Sequence, residues 1–361
     1  MLYFCQMVKS NKKIKVAIAG VGNCASSFVQ GVNYYTENPD NQGLMYKDIG
    51  GYKIADIEFV AAFDIDKRKV GKDLSEAIFA EPNCTKIFSK AQKTNVVVER
   101  GPVLDGLSEH MKNVVLVDEK AQPVDVVKTL RKSGAEILVS YMPVGSAEAS
   151  RFYAQVAIDA GVAFVNAIPE FICSDKKWNE KFKLAGIPCA GDDIKSQVGA
   201  TILHRIISRL IQDRGLSIES TYQLNIGGNT DFNNMTNQER LTSKRISKTR
   251  AVTSIMNEEI SKIRIGPSDY VPHLLDNKIC YINIKGKQFG GVPYELDLKL
   301  SVEDSPNSAG VITEVVRALR VAKDKGLSGN INNISAYAFK SPEKQIRDDQ
   351  AKNDFEAFIK N

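Results

Sequence analysis

The chain has 361 residues, 43% hydrophobic and 25% charged, which suits one large or two medium globular domains and excludes a disordered tail or a small stapled scaffold. Its 48 Lys and Arg exceed 43 Asp and Glu to give a net charge of +5 with no long run of one sign, a balance that favours an anionic small ligand over nucleic acid. No apolar stretch has the length needed to cross a bilayer, and the opening MLYFCQM is too short for a signal-peptide core, so a cytoplasmic protein with no membrane partner is expected.

From Lys13 to about Gly199, short β-rich runs alternate with helical periods. The runs are KIKVAIAG, IEFVAAFDI, EILVSYM, VAFVNAI and IPCAGDD. Between them, PVDVVKTLRKSG and SAEASRFYAQVAIDAG carry apolar residues at helical spacing with a closing Gly. This pattern predicts an α/β, doubly wound parallel sheet. The Asn/Gly-rich segment from Tyr35 to Gly51 reads as an inserted linker. A helix is expected over about Val198 to Gln212, and after Leu216 the rhythm changes. STYQLNIGG, KICYINIKG and YELDLKLSVED alternate without a helix per strand, which predicts a second, largely antiparallel domain. The long helical pattern AGVITEVVRALRVAKDKG then returns the chain to the first domain.

Six cysteines (Cys5, Cys24, Cys84, Cys173, Cys189 and Cys280) lie scattered without a CxxC pair, so buried, reduced thiols are expected rather than disulfides or a zinc site. Three isolated histidines (His110, His204 and His273) leave proton transfer to Lys, Asp, Glu or Tyr. No ligand spacing for a metal stands out, and the place of an activating monovalent or divalent cation stays open.

Gly20-Val21-Gly22-Asn23-Cys24-Ala25 follows the first strand and opens a helix, as a G-x-G-x-x-A dinucleotide turn does. The first Gly permits the tight turn, the second lets the backbone approach a pyrophosphate, and the small third residue lets helix meet strand. Asp64 ends the second strand, where a carboxylate accepts ribose hydroxyls and disfavours a 2′-phosphate, pointing to NAD; capping of the next helix is the plainer alternative. The inserted segment sets Asp64 well beyond the usual ~20 residues from the glycines. GDDIKSQVGATI brings Asp192, Asp193, Lys195 and Ser196 to a strand end and helix start. Those residues suit phosphate or ribose, or equally helix capping by the acids with Lys195 solvated. NIGGNTDFNNM suits a polyhydroxylated ligand or an ordinary turn. In SKRISKTRAV, Lys244 and Lys248 share a helical face. Lys285 ends the strand CYINIK, and Lys340 follows AYAF. Such lysines are commonly solvated, but in a closed cavity burial makes them proton carriers and oxyanion partners.

Taken with EDSPNSAGV and SAYAFKSP, these motifs in this order resemble the myo-inositol-1-phosphate synthase family in its short archaeal and actinobacterial form, over nearly the whole chain. The resemblance implies a Rossmann-like NAD-binding domain (1–200 and 305–361) interrupted by an α+β catalytic and oligomerisation domain (201–304). It implies a homotetramer and a redox-neutral conversion of D-glucose 6-phosphate to 1D-myo-inositol 3-phosphate. It further implies that Lys244, Lys248, Lys285 and Lys340 are the active-site lysines. Lys248 and Lys285 would touch phosphate and substrate oxygens; Lys244 and Lys340 would stabilise oxyanions and move protons. By the same resemblance Asp193 and Asp304 orient a lysine and the nicotinamide end of the cofactor, and Ser196 and Gln197 bind phosphate. Asn225, Asn229 and Asp231 meet sugar hydroxyls, while Gly20, Gly22, Asn23, Cys24, Ala25, Asp64 and Ser140 hold NAD. Lys285 is matched across loops of variable length. From the dinucleotide turn alone, a plain NAD-dependent sugar-phosphate dehydrogenase and a noncatalytic NAD-binding module are the competing readings.

Overall fold

A computed structural model describes residues 13–237, 240, 242–254, 256 and 260–360. Cys5 lies outside the described residues. The first strand, β1 (Ile14–Ala19), is apolar at nearly every position because it is covered on both faces, and it leads through the glycine turn into α1 (Asn23–Glu37). The inserted segment that follows holds a small hairpin of β2 (Asp48–Ile49) and β3 (Tyr52–Lys53), so it is more than a linker. Then come β4 (Ile57–Asp64), α2 (Leu74–Ala77), β5 (Val98–Arg100), α3 (Val126–Ser133) and β6 (Ile137–Ser140). The alternation continues with α4 (Ala147–Ala160), β7 (Ala163–Asn166), α5 (Lys176–Leu184) and β8 (Pro188–Ala190). Gly134 and Gly161 close α3 and α4 in the left-handed conformation that the sequence pattern requires of them.

After α6 (Ala200–Asp213) the chain builds β9 (Ser220–Gly227), α7 (Thr230–Asn234), α8 (Thr242–Thr253), β10 (Lys262–Tyr270), β11 (Asn277–Lys287) and β12 (Pro293–Glu303). It returns through α9 (Asp304–Asp324), β13 (Gly329–Asn330), α10 (Asn332–Ala338) and α11 (Asp348–Lys360).

The large sheet has the order β13-β8-β7-β6-β1-β4-β5, and every pairing in it is parallel. From β1 the chain proceeds to β4 on one side and later to β6 on the other. The crevice at the C-terminal end of β1 is therefore a topological switch point, the place where such sheets bind ligands. Helix α9 lies against α1, and Phe28 meets Phe59 edge-on at 5.1 Å beneath it. Each such buried aromatic contributes about 1.5–3 kcal/mol.

The second sheet has the order β10-β9-β11-β12. It is mixed, antiparallel in two of its three pairings and parallel in the third. β9 pairs antiparallel with β11, and β11 with β12, but β10 runs parallel to β9 because α7 and α8 form a crossover between them. That crossover carries functional side chains back over the crevice.

Candidate active site

A cavity of about 310 Å³ opens at the switch point and runs from the glycine turn to a cluster of lysines. At the turn, Gly20 has φ +93, and a Cβ there would stand 2.7 Å from the Tyr141 carbonyl oxygen, so only Gly fits. Gly22 differs: an added Cβ would meet nothing within 4 Å, and the space it would enter is the cleft. Gly22 also caps α1, whose first turn holds no acidic residue. Its unpaired N–H groups and positive dipole end face the cavity, which suits a pyrophosphate. The Tyr141 hydroxyl, buried on the wall of the same cleft, has no hydrogen-bond partner among the described residues. An open cradle beside an orphaned hydroxyl fits a dinucleotide.

The surroundings brace this turn. Asp64 accepts the Val21 N–H at 2.8 Å and the Ile65 and Asp66 N–H groups at 2.7 and 2.9 Å. It lines the cleft rather than capping the following helix, whose cap is Asp73. Lys69 and Asn83 both donate to the Val21 carbonyl. Asn23 spends its amide oxygen on the Cys84 and Thr85 N–H groups, so it anchors a neighbouring loop. Cys24 lines the cavity beside Ser305 and Ser308, and burial with the nearby Asp276 charge pushes its thiol up to about 12. Ala25, in the first turn of α1, is fully buried, consistent with the need for a small residue there, but is not on the cavity wall.

At the other end, α8 presents Lys244 and Lys248 one turn apart, both to the cavity. Lys244 donates to Asp231 at 2.8 Å. Burial opposes its charge, but Asp231 and Asp193 outweigh burial and hold the amine above its usual range. Lys248 is 7% exposed and has no hydrogen-bond partner among the described residues. Burial pushes it down to about 7, with Lys244, Lys340 and Lys278 adding to the shift.

Asp193 sits at φ +62 in the turn after β8. Its Oδ1 accepts from Lys340 Nζ at 2.8 Å, and its Oδ2 accepts from Ser247 Oγ at 2.6 Å. Lys340 donates a second bond to the Ile194 carbonyl at 2.8 Å. Burial lowers Lys340 despite the opposing Asp193 charge. Asp193, by contrast, stays below the usual carboxylate range because Lys340 and Lys244 overcome the effect of burial. Asp304, the first residue of α9, pairs with Lys278 and is likewise held low against burial. Behind them the fully buried Asp276 accepts from Asn229 Nδ2, Ser305 N and Ser305 Oγ, tying the cap of α7 to the first turn of α9.

Several expected site residues are placed elsewhere. Lys285 is not in the cavity: it pairs with Glu295 at 2.9 Å on the surface, 52% exposed. On β11, Cys280, Ile282 and Ile284 point inward, and Lys278 is in phase with them, whereas Lys285 is in phase with exposed Tyr281 and Lys287. Lys278 also lies opposite Gly227, where the NIGGN loop begins, while Lys285 lies opposite Ser220 at the far end of the strand. Lys278 thus occupies the place expected of Lys285, and the strand alternation was the signal that could have found it. Gln197 turns away from the cavity, donates to the Gly43 carbonyl at 2.6 Å and packs on Gly310. Asn225 is an interior strand residue, donating to the Gly266 carbonyl and accepting from Gln223. Ser140 is fully buried at the end of β6, off the cavity wall. Lys195 is not solvated: it is buried and donates to the Ala336 and Tyr337 carbonyls and to Asp348, joining α11 to the core. Asp192 does not cap a helix; it receives N–H bonds from residues 172–174 and an amide bond from Asn166. Ser196, Asn229 and Asp231 do line the cavity.

Cys173, Cys189 and Cys280 are buried thiols, and Cys24 and Cys84 are half-buried and free. Among the described residues no group of three or more His, Cys, Asp or Glu is placed to hold a metal ion, and no helix is long and apolar enough to cross a membrane.

A parallel nucleotide-type sheet whose crevice ends in paired lysines and aspartates defines a class: a dinucleotide-fold protein equipped for chemistry on an anionic, oxygen-rich ligand. The model of the myo-inositol-1-phosphate synthase family matches residues 199–305. The inositol-3-phosphate synthase of Mycolicibacterium smegmatis is 54% identical over 356 residues, covering 96% of this chain and 98% of that protein. The inositol-3-phosphate synthase of Corynebacterium glutamicum is 52% identical, covering 97% and 99%. Among solved structures, Ari2 is 34% identical with a TM-score of 0.78 over 96% of this chain and 98% of its own. The inositol-3-phosphate synthase of Caenorhabditis elegans shares the fold at 15% identity, with a TM-score of 0.77 over 96% and 85%. The chain belongs to the myo-inositol-1-phosphate synthase family.

Proposed function

We propose that the protein binds NAD in the cleft and cyclises D-glucose 6-phosphate to 1D-myo-inositol 3-phosphate without net redox change. The observation that carries this reading is the convergence of Lys244, Lys248, Lys278 and Lys340 with Asp193, Asp231 and Asp304 on the cavity that begins at the glycine turn. A dehydrogenase needs one acid-base group and a hydride acceptor, whereas a cyclisation through an enolate needs cations over two developing oxyanions and an anchor for phosphate.

Gly20, Gly22 and Cys24 at the head of the cleft would hold NAD+, which would supply a hydride acceptor for carbon 5 of the open-chain sugar and the hydride that restores it at the end of the cycle. The chain's own groups then divide the remaining work. Lys248, with a free amine near neutrality, and Lys278 hold the phosphate, whose negative charge raises the protonated fraction of Lys248. Lys340, lowered by burial and aimed by Asp193, takes the proton of the carbon 5 hydroxyl and gives it back when that hydroxyl re-forms. Lys244, kept cationic by Asp231, faces the oxygen on which charge builds when carbon 6 is deprotonated. Attack of carbon 6 on the carbon 1 aldehyde places a second negative oxygen within reach of the same lysines, and the proton lost from carbon 6 is returned to that oxygen, so that the cycle closes without net proton loss. One such donor is worth roughly 3 kcal/mol of barrier.

The same reading divides the chain at 200/201 and 304/305 into an NAD-binding domain and a catalytic, oligomerising one, and it expects a cytoplasmic homotetramer, which light scattering tests. The function is tested by phosphorus NMR of the protein with glucose 6-phosphate and NAD+, across monovalent and divalent cations, with the NADH band recorded in parallel. A new inositol phosphate resonance without accumulating NADH is the expected result. NADH rising with substrate loss would make the protein a dehydrogenase instead.

A further inference from the structure

Asp193 is shared between the lysine assigned to proton transfer and a serine that lies off the cavity wall. Ser247 lies on α8 between Lys244 and Lys248, is fully buried, and donates to Asp193 Oδ2 at 2.6 Å. A hydroxyl carries one hydrogen, so the 2.9 Å contact between Ser341 and Ser247 must run with Ser341 as donor. The order is therefore Ser341 to Ser247 to Asp193, ending at Lys340 across the other carboxylate oxygen. Both ends of this chain of bonds are fixed in the backbone. Lys340 and Ser341 donate N–H bonds to the Asp193 and Asp192 carbonyls at 2.8 and 3.0 Å, which holds the segment after α10 against the Asp193 turn. Among the described residues, the one hydrogen bond from the Asp193 carboxylate to α8 is that of the Ser247 hydroxyl.

We propose that Ser247, oriented by Ser341, is a positioning residue: it fixes the Asp193 carboxylate toward Lys340 and sets the register of α8, so that Lys244 and Lys248 meet the same substrate that Lys340 serves. The inference rests on the cyclisation reading for its catalytic consequence but not for its geometry. A donor to the far oxygen stops the carboxylate from rotating away from Lys340, and a chain of polarised bonds strengthens each member. The serine lies too deep for a merely solvating role.

Two kinds of readout test this. In turnover, S247A is expected to lower kcat on the order of ten-fold, with a smaller rise in KM for glucose 6-phosphate as Lys248 on α8 loses register. The acid limb of its pH profile should move to higher pH, because Asp193 has lost a bond that favours its ionised form. S341A should act in the same direction but more weakly, and the S247A/S341A double variant should match S247A alone, as members of one relay do. S247T keeps the hydroxyl and should recover much of the loss. Independently of turnover, carbon-13 NMR titration of aspartate-labelled protein, with Asp193 assigned by D193N, should show the Asp193 carboxyl titrating higher in S247A and slightly higher in S341A. Calorimetric NAD binding reports whether each variant is folded, and S341A carries the test if S247A is not. An unshifted Asp193 titration, or additive effects of the two serine variants, overturns the proposal. If wild-type protein makes no inositol phosphate while the Asp193 titration still shifts, the cyclisation reading fails and the positioning role stands.

Discussion

Lys278 and Lys285 differ in only one visible respect in the sequence, their phase along β11, and replacing each in turn tests that difference directly. The perturbation is Lys278→Met, which keeps the length of the side chain and removes its charge. In the structure Lys278 pairs with Asp304, the two being 13% and 24% exposed. With Lys278 gone, Asp304 keeps only the more distant Lys244 and Lys340, and burial is free to raise its carboxyl. A lost charge-assisted hydrogen bond of this kind costs about 1.5–3 kcal/mol, the opening to the cavity favouring the lower half of that range. If the pair is needed in the transition state, kcat/KM for glucose 6-phosphate falls ~10- to 150-fold. Initial rates of inositol phosphate formation by phosphorus NMR provide the assay, and Lys285→Met is the control. Lys285 pairs with Glu295 in open solvent, so its loss should leave the rate unchanged. A Lys285→Met variant that is inactive beside a fully active Lys278→Met would refute the placement of the fourth lysine.

Other consequences follow from the same geometry. Lys340→Ala should abolish turnover while leaving NAD affinity nearly intact, since Lys340 bonds Asp193 and Ile194 and not the glycine turn; turnover retained at the wild-type rate would remove Lys340 from the mechanism. Gly22→Val should fold normally, because its Cβ meets nothing within 4 Å, yet lose NAD binding in calorimetry, whereas Gly20→Ala should lower the melting temperature because its Cβ strikes the Tyr141 carbonyl. Lys248 is held down to about 7 from 10.5, so between those values the unfolded chain binds more protons than the folded one, and this residue's contribution to stability rises with pH. Lys248→Met should therefore raise the melting temperature near pH 7, with the gain shrinking toward pH 10; a gain independent of pH would show that burial does not act on that amine as described.

The large sheet and its glycine turn were legible in the sequence because each rests on local rules. Short apolar runs such as IEFVAAFDI, set between turn signals, read as largely buried strands, and Gly20 and Gly22 follow β1 within the span of a single turn. The shared face of Lys244 and Lys248 was equally local, a matter of helical spacing. Their pairing with Asp231, Asp193 and Lys340 was not, because it depends on the crossover between β9 and β10 carrying α8 back over the crevice. Lys195 shows the same limit: its neighbours in sequence suit a solvated residue, but α10 and α11, more than a hundred residues on, close over it. Gln197 and Asn225 count as ligand groups by the family resemblance, and only their tertiary partners, Gly43 and Gly266, reveal them as structural. Sequence fixes what a residue can do and which face of its own element it occupies. Which faces meet, and so whether a lysine ends in water or beside a buried carboxylate, is decided by long-range packing.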